Sequence, residues 1–102
     1  MSIKGSSYSI FKRALKTDND AIVLGAAAEL PSINLDDALR ICAVLRSEPG
    51  RFEAAAIRWL GRLCLERPQT TLTELKLAVA AFDRLPEEPA EAEAALRQLV
   101  RT

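Results

Sequence analysis

The chain has 102 residues and zero net charge, from fourteen basic and fourteen acidic side chains, and 49% of its residues are apolar. This length is typical of one domain, so we expect residues 1–102 to form a single domain, and the balanced charge excludes an overall field that would attract nucleic acid or an anionic membrane. The chain has no histidine, which removes the commonest general base and the commonest metal ligand.

Composition also predicts the fold class. Strong helix formers dominate, with seventeen Ala and fifteen Leu, whereas Val, Thr and aromatic residues are sparse. We therefore predict an all-α fold of about six helices in three consecutive antiparallel hairpins. These hairpins would form either a compact bundle or a short solenoid-like array of the tetratricopeptide or HEAT type. Residues 1–6 are expected to be a flexible N-terminus.

The first predicted helix spans about residues 7–16. Its apolar residues recur at helical spacing and share one face: Tyr8, Phe11 and Leu15. Basic residues lie elsewhere around this helix, namely Lys12, Arg13 and Lys16. We interpret the segment as a helix that packs through its apolar face. The alternative is a short basic arm that contacts nucleic acid, lipid or a partner.

The second predicted helix follows the capping residues at 17–20 and ends before Pro31. It carries no charge before Glu29, which predicts that it is the most enclosed element or a contact surface. Gly25 leaves room for a neighbouring helix to approach closely.

The third predicted helix begins at Asn34, a good N-cap residue, with two acids in its first turn. Asp36 and Arg40 are spaced to form an ion pair at i, i+4. Helices 2 and 3 can be read as a helix-turn-helix, but the would-be recognition helix opens with Asp36 and Asp37, which would face phosphates. We therefore do not expect this pair to read DNA.

The fourth predicted helix, about residues 51–67, is the longest and has a wide apolar face. Trp59 on this face is interpreted as a core anchor, with an exposed binding hot spot as the alternative. A narrow basic stripe lies opposite, formed by Arg51, Arg58 and Arg62. It can bind phosphate or carboxylate groups, or be a solvated face that Glu66 partly neutralises.

The last two predicted helices begin near Thr71 and Pro89. Thr71 and Glu74 have the spacing of a capping box. The fifth helix has only a narrow polar stripe, which predicts that it is substantially buried. The sixth has acids in its first turn and arginines near its end, as the helix dipole favours.

An internal repeat relates the second half of the chain to its middle. Residues 34–49 align without a gap on residues 71–86, and residues 55–62 align on residues 94–101. The predicted repeat units are therefore 34–67 and 71–102, each a helical hairpin. Stacked helical hairpins usually present surfaces for binding.

The two cysteines and the longest uncharged run bear on the cellular compartment. Cys42 and Cys64 both lie on apolar helical stretches, which favours reduced core thiols over a disulfide. The longest uncharged stretch, residues 21–28, is too short to span a bilayer. We therefore expect a soluble, cytoplasmic protein.

Two adjoining blocks carry a resemblance to known proteins: RFEAAAIRWLGRLCLERP and TLTELKLAVAAFDRLP. They look like short, Ala- and Arg-rich helical proteins of high-GC actinobacteria, over about residues 30–86. The resemblance implies a bacterial cytosolic or mobile-element setting and no known activity. The tetratricopeptide family is not assigned, because Trp59, Leu60 and Gly61 are contiguous where that family separates its Trp from Leu-Gly.

These observations favour a non-catalytic protein-protein interaction or adaptor module that can self-associate. No P-loop, GxGxxG, GxSxG, HExxH or CxxC pattern is present, so we predict no catalytic residue, cofactor or metal. A protein partner or a homo-oligomer is expected, with no membrane or small-molecule partner. The alternative is a small nucleic-acid-associated regulator that uses the basic stripe and the N-terminal segment. The candidate partner-binding residues are Arg51, Arg58, Arg62, Trp59, Lys12 and Arg13.

Overall fold

A computed structural model describes residues 3–101, with side chains from residue 7 onward. Within this range there are six α-helices, one short 3₁₀ turn at Leu45–Ser47 and no strand. The prediction of an all-α fold with six helices is confirmed. The helices are α1 (Ile3–Leu15), α2 (Asp20–Ala27), α3 (Leu35–Val44), α4 (Pro49–Glu66), α5 (Leu72–Arg84) and α6 (Pro89–Arg101).

The last four helices close into a bundle. Each of α3, α4 and α5 contacts the helix that follows it, and α6 returns to contact α3. Short turns join these helices, which makes consecutive helices antiparallel. The α1–α2 pair packs mainly on α3 at one side of this bundle. The contact between α3 and α6 distinguishes this compact bundle from an open helical array.

The core of the four-helix bundle is centred on Trp59, whose residue surface is only 2% exposed. Its indole nitrogen donates a hydrogen bond of 2.8 Å to the backbone oxygen of Leu35. The ring of Phe82 lies edge-on to Trp59, with centroids 5.5 Å apart, and also edge-on to Phe52 at 6.1 Å. These pairs have the geometry that aromatic quadrupoles favour. Trp59 is therefore a core anchor.

A smaller core cluster joins α1 and α2 to α3. Phe11 and Val23 are fully buried there. Tyr8, on the predicted apolar face of α1, is 42% exposed. Helix 2 is not the most enclosed element, because Val23 is its only buried residue and Ile22 is 52% exposed. The alternative, that helix 2 is a contact surface, stays a prediction. Among the described residues, no atom outside α2 lies within 4 Å of the Cβ position at Gly25, so no neighbouring helix approaches α2 closely there.

The helix ends follow from local chemistry. The side chain of Asn34 accepts a hydrogen bond of 2.8 Å from the backbone N–H of Asp37, and the capping box between Thr71 and Glu74 is complete. α4 begins at Pro49, two residues before its predicted start, because proline suits the first helical position.

The N-terminal segment is more helical than its sequence pattern indicated. α1 begins at Ile3, four residues before its predicted start. The flexibility of residues 1–6 stays a prediction, and Met1 and Ser2 lie outside the described residues.

Candidate interaction surface

A groove of about 460 Å³ runs between α4 and α5 and is mostly apolar. Phe52 and Phe82 are buried at its floor. Ile57 on α4 and Val79 on α5 border it and are 63% and 44% exposed. Its full lining is Arg46, Pro49, Phe52, Glu53, Ala56, Ile57, Leu60, Val79, Phe82, Asp83 and Pro86. The groove is therefore a mostly apolar surface formed by α4, α5 and the turns at one end of them, with charged residues at its border.

Helix periodicity explains why this apolar surface faces solvent. The bundle-facing positions of α5 are occupied by the buried residues Ala78, Ala81, Phe82 and Leu85. Leu72 and Val79 are one heptad apart, and both lie outside this buried face. The prediction that helix 5 is substantially buried is wrong, because its apolar residues are spread around more of the helix than the bundle can cover.

The groove side of each helix carries a stripe with spacings of four, three and four residues. This spacing keeps residues on one side of a helix, as at a coiled-coil seam. The α4 stripe contains Glu53, Ile57, Leu60 and Cys64. The α5 stripe contains Leu72, Lys76, Val79 and Asp83. This spacing is visible in the sequence, but the sequence-based candidates were basic and aromatic residues and did not include these stripes.

Three charged side chains on these stripes form no ion pair within the described chain. Glu53 and Asp83 line the same end of the groove. Lys76 is exposed one turn before Val79, toward the other end of α5. Within the described residues, none of these three side chains forms an ion pair or a side-chain hydrogen bond.

On the opposite side of the molecule, a buried acid is paired within the chain. Asp37 on α3 is only 4% exposed and accepts hydrogen bonds from the Tyr8 hydroxyl at 3.0 Å and from Lys12 Nζ at 2.9 Å. The hydrogen bond to Asp37 raises the pKa of Lys12 above its ordinary value. These contacts tie α1 to α3, so Lys12 is a tertiary contact in this structure.

A second buried carboxylate, Glu93 on α6, is held by two arginines. Arg40 donates to it at 3.0 Å and Arg97 at 3.2 Å. Arg97 also pairs with Asp36 at 2.9 Å. The predicted Asp36–Arg40 pair is therefore wrong, since α6 packs against α3 and offers both residues partners on another helix.

The basic stripe of α4 is largely neutralised. Arg51 pairs with Glu48 at 3.1 Å. Arg62 pairs with Glu66 at 2.8 Å, as its spacing predicted, and donates to the backbone oxygen of Ile33 at 2.8 Å. Arg58 is exposed and has no ion pair within the described residues. The three guanidinium groups therefore do not form one free basic surface.

Arg13 is the remaining candidate residue of the N-terminal segment. It is exposed on α1, and the described residues offer it no ion pair. Since Lys12 is paired and Trp59 is buried, the sequence-based candidates are not brought together into one site.

The two cysteines differ in their environments. Cys42 is buried between α3 and α4, and this burial raises the pKa of its thiol to about 12. Cys64 is exposed at the end of the α4 stripe, so its predicted place in the core is wrong.

Comparison with protein-family models, with curated proteins and with solved structures finds no match to this chain. In the part of the chain described here, no helix is both long and apolar enough to cross a membrane. The same residues contain no group of three or more Cys, Asp or Glu side chains placed to hold a metal ion. The physical chemistry of the surface is thus the basis for a functional proposal.

Proposed function

We propose that this protein is a non-catalytic interaction module that binds a protein partner through the α4–α5 groove. The observation that carries the proposal is the exposure of Ile57 and Val79 over a floor of buried aromatic rings. Contiguous exposed apolar surface on a small protein commonly marks an interaction site. The groove is bordered by two helices, which suits a partner that packs helical apolar side chains against this surface.

The charges around the groove support a selective contact. Glu53 and Asp83 have no partner in the described chain, so their carboxylates are available to cationic groups at the rim of an interface. Rim charges contribute mainly to specificity and to the rate of association. The lack of histidine and the raised pKa of Cys42 add to the case against catalysis. We place this function in the cytoplasm, where the two thiols would stay reduced.

Nucleic-acid binding through the basic stripe is the less favoured function. Arg51 and Arg62 are paired with carboxylates, and so is Lys12 on α1. A phosphate backbone would have to displace these pairs to gain the same contacts. We therefore propose the groove as the primary binding surface.

A site-specific photo-cross-linker tests this proposal. Benzoylphenylalanine is placed at Ile57 in the groove, or at Leu65 as the matched control. Leu65 is also on α4 and is 82% exposed, but it does not line the groove. Each protein is irradiated in extracts of the cells that express it, and the adducts are identified by mass spectrometry.

We expect a defined adduct from position 57 and none from position 65. The purified partner should then bind the wild type and L65E equally, and bind I57E at least about tenfold more weakly, because a buried carboxylate without a partner is costly. Equal adducts from both positions, or none from position 57, would contradict the proposal.

A further inference from the structure

The α5 stripe carries one base and one acid, so a copy of it laid antiparallel on itself sets each charge against its opposite. On α5, Lys76 and Asp83 are seven residues apart on one face, with Val79 between them. On α4, Ile57 and Leu60 form the apolar centre of the stripe. The unpaired acids therefore lie at one end of the surface, the unpaired base lies toward the other, and apolar side chains lie between.

The centres of the two stripes lie at the same height in the bundle. α4 ends at Glu66 and α5 begins at Leu72, so residues equally far from this turn lie side by side in the hairpin. On α4, the midpoint between Ile57 and Leu60 is taken as the centre of the stripe, and on α5 the midpoint between Lys76 and Asp83. Counted along each helix from the turn, at Glu66 and at Leu72, the two centres are equally far away. One axis perpendicular to both helices can therefore pass through both midpoints.

If the helices of the two copies are to lie parallel or antiparallel to each other, a two-fold axis in the plane of this surface has two directions to choose from. An axis that runs along the helices lays α4 on α5 and brings Glu53 of one copy to Asp83 of the other, which sets like charges together. An axis that runs across the helices lays α5 antiparallel on α5. That arrangement brings Asp83 of each copy to Lys76 of the other and joins the apolar centres. Charge complementarity selects the second arrangement, since like charges in an interface are strongly unfavourable.

We infer that the occupant of the α4–α5 groove is a second copy of this chain, in an antiparallel two-fold dimer with two Lys76–Asp83 ion pairs. This inference rests on the proposed function and names its partner. α4 has 18 residues, so a face two helices wide measures about 27 by 20 Å, or about 1,000 Å² for both copies together. That area falls in the range of weak or transient interfaces, so we expect a reversible dimer with a dissociation constant on the order of micromolar or weaker.

Reversing the charge at Lys76 or at Asp83 tests the antiparallel register of the two α5 helices. Sedimentation velocity is measured over a concentration series for the wild type, K76E, D83K and an equimolar mixture of the two variants. Both residues are exposed and have no partner in the described chain, so each variant should fold, with a stability within about 0.5 kcal/mol of wild type by thermal denaturation.

We expect the wild type to dimerise and each variant alone to dimerise at least about tenfold more weakly, because symmetry makes every substitution act twice. In the mixture, the reversed side chain of each variant meets its complement on the other. A heterodimer of near wild-type affinity should therefore form. A wild-type dimer that neither substitution weakens, or weakened variants that do not recombine in the mixture, would overturn the antiparallel register.

A monomeric wild type at every concentration would overturn the dimer itself. A monomeric wild type would still be consistent with the proposed function if benzoylphenylalanine at Ile57 captured a different protein. If no adduct formed at Ile57, both the dimer and the proposed function would be rejected.

Discussion

The acidic side chains at the rim of the α4–α5 groove differ from those buried where α3 packs against α1 and α6. On the α1–α3–α6 side, the buried carboxylates of Asp37 and Glu93 are held by cationic groups of other residues. On the α4–α5 side, Glu53 and Asp83 border an apolar groove and pair with nothing in the described chain.

The buried acids therefore belong to the folded core, whereas the acids at the groove are available for association. A buried carboxylate is stable only while its cationic partners remain, because an unpaired charge in a desolvated site is costly. A largely exposed apolar side chain gains little from burial in the folded monomer, so its removal costs little stability. Substitutions on the first side should therefore change stability, whereas substitutions at the edge of the groove should change association.

The largest effect should come from the floor of the groove. Phe82 is 4% exposed and contacts two other aromatic rings, so Phe82→Ala should lower the free energy of unfolding by about 3–5 kcal/mol. Val79 at the edge is 44% exposed, and Val79→Ala should lower it by less than about 0.5 kcal/mol. Urea denaturation of both variants provides the measurement. Equal losses would mean that edge and floor form one core.

The next largest effect should come from Glu93. Replacing both Arg40 and Arg97 with Met preserves their apolar stems but leaves this carboxylate, whose side chain is 7% exposed, without a cation. We expect a loss of about 3 kcal/mol in urea denaturation. Adding Glu93→Leu should recover most of it, because no buried charge then remains unpaired. A triple variant as unstable as the double variant would show that the loss comes from packing.

The smallest effect should come from the exposed ion pair between Asp18 and Arg46. The Arg46 guanidinium donates two hydrogen bonds, of 2.7 and 2.9 Å, to the two carboxylate oxygens of Asp18. The hydrogen bonds from Arg46 lower the pKa of Asp18 below its ordinary value of 3.8. A carboxyl group with a lowered pKa stabilises the fold above pH 3.8, and this contribution is lost as the pH falls below that value.

Asp18→Asn is the matched variant, because asparagine tolerates the positive φ of 55° at this position. The wild type should be more stable than this variant by up to about 1 kcal/mol at pH 7, and the difference should shrink toward pH 3. Thermal denaturation at the two pH values measures it. A difference that does not change with pH would show that the carboxylate charge contributes nothing.

Local sequence chemistry predicted the helices and their ends well. The capping box at Thr71, the cap at Asn34 and the Arg62–Glu66 pair depend on residues within four positions of one another, and all three are present. The partners of Asp36 and Arg40 were not predictable in this way. Their ion pairs cross from α3 to α6 and exist only because these helices pack together.

Burial showed the same division. An apolar, uncharged helix was expected to be enclosed, yet α2 lies at the side of the bundle with Ile22 half exposed. α5 has more apolar positions than its neighbours cover. The hydrophobic pattern of a helix indicates how much of its surface can be buried. The number and placement of its neighbouring helices decide how much of that surface is buried.

An all-helical chain of six helices, the cap at Asn34 and the capping box at Thr71 were predictable from the sequence, because they follow from propensity, periodicity and short-range hydrogen bonds. Only the tertiary structure decided that four helices close into a bundle, that the arginines of α4 are largely neutralised and that an apolar groove remains between α4 and α5. The physical reason is that surface area and long-range ion pairs depend on which helices become neighbours.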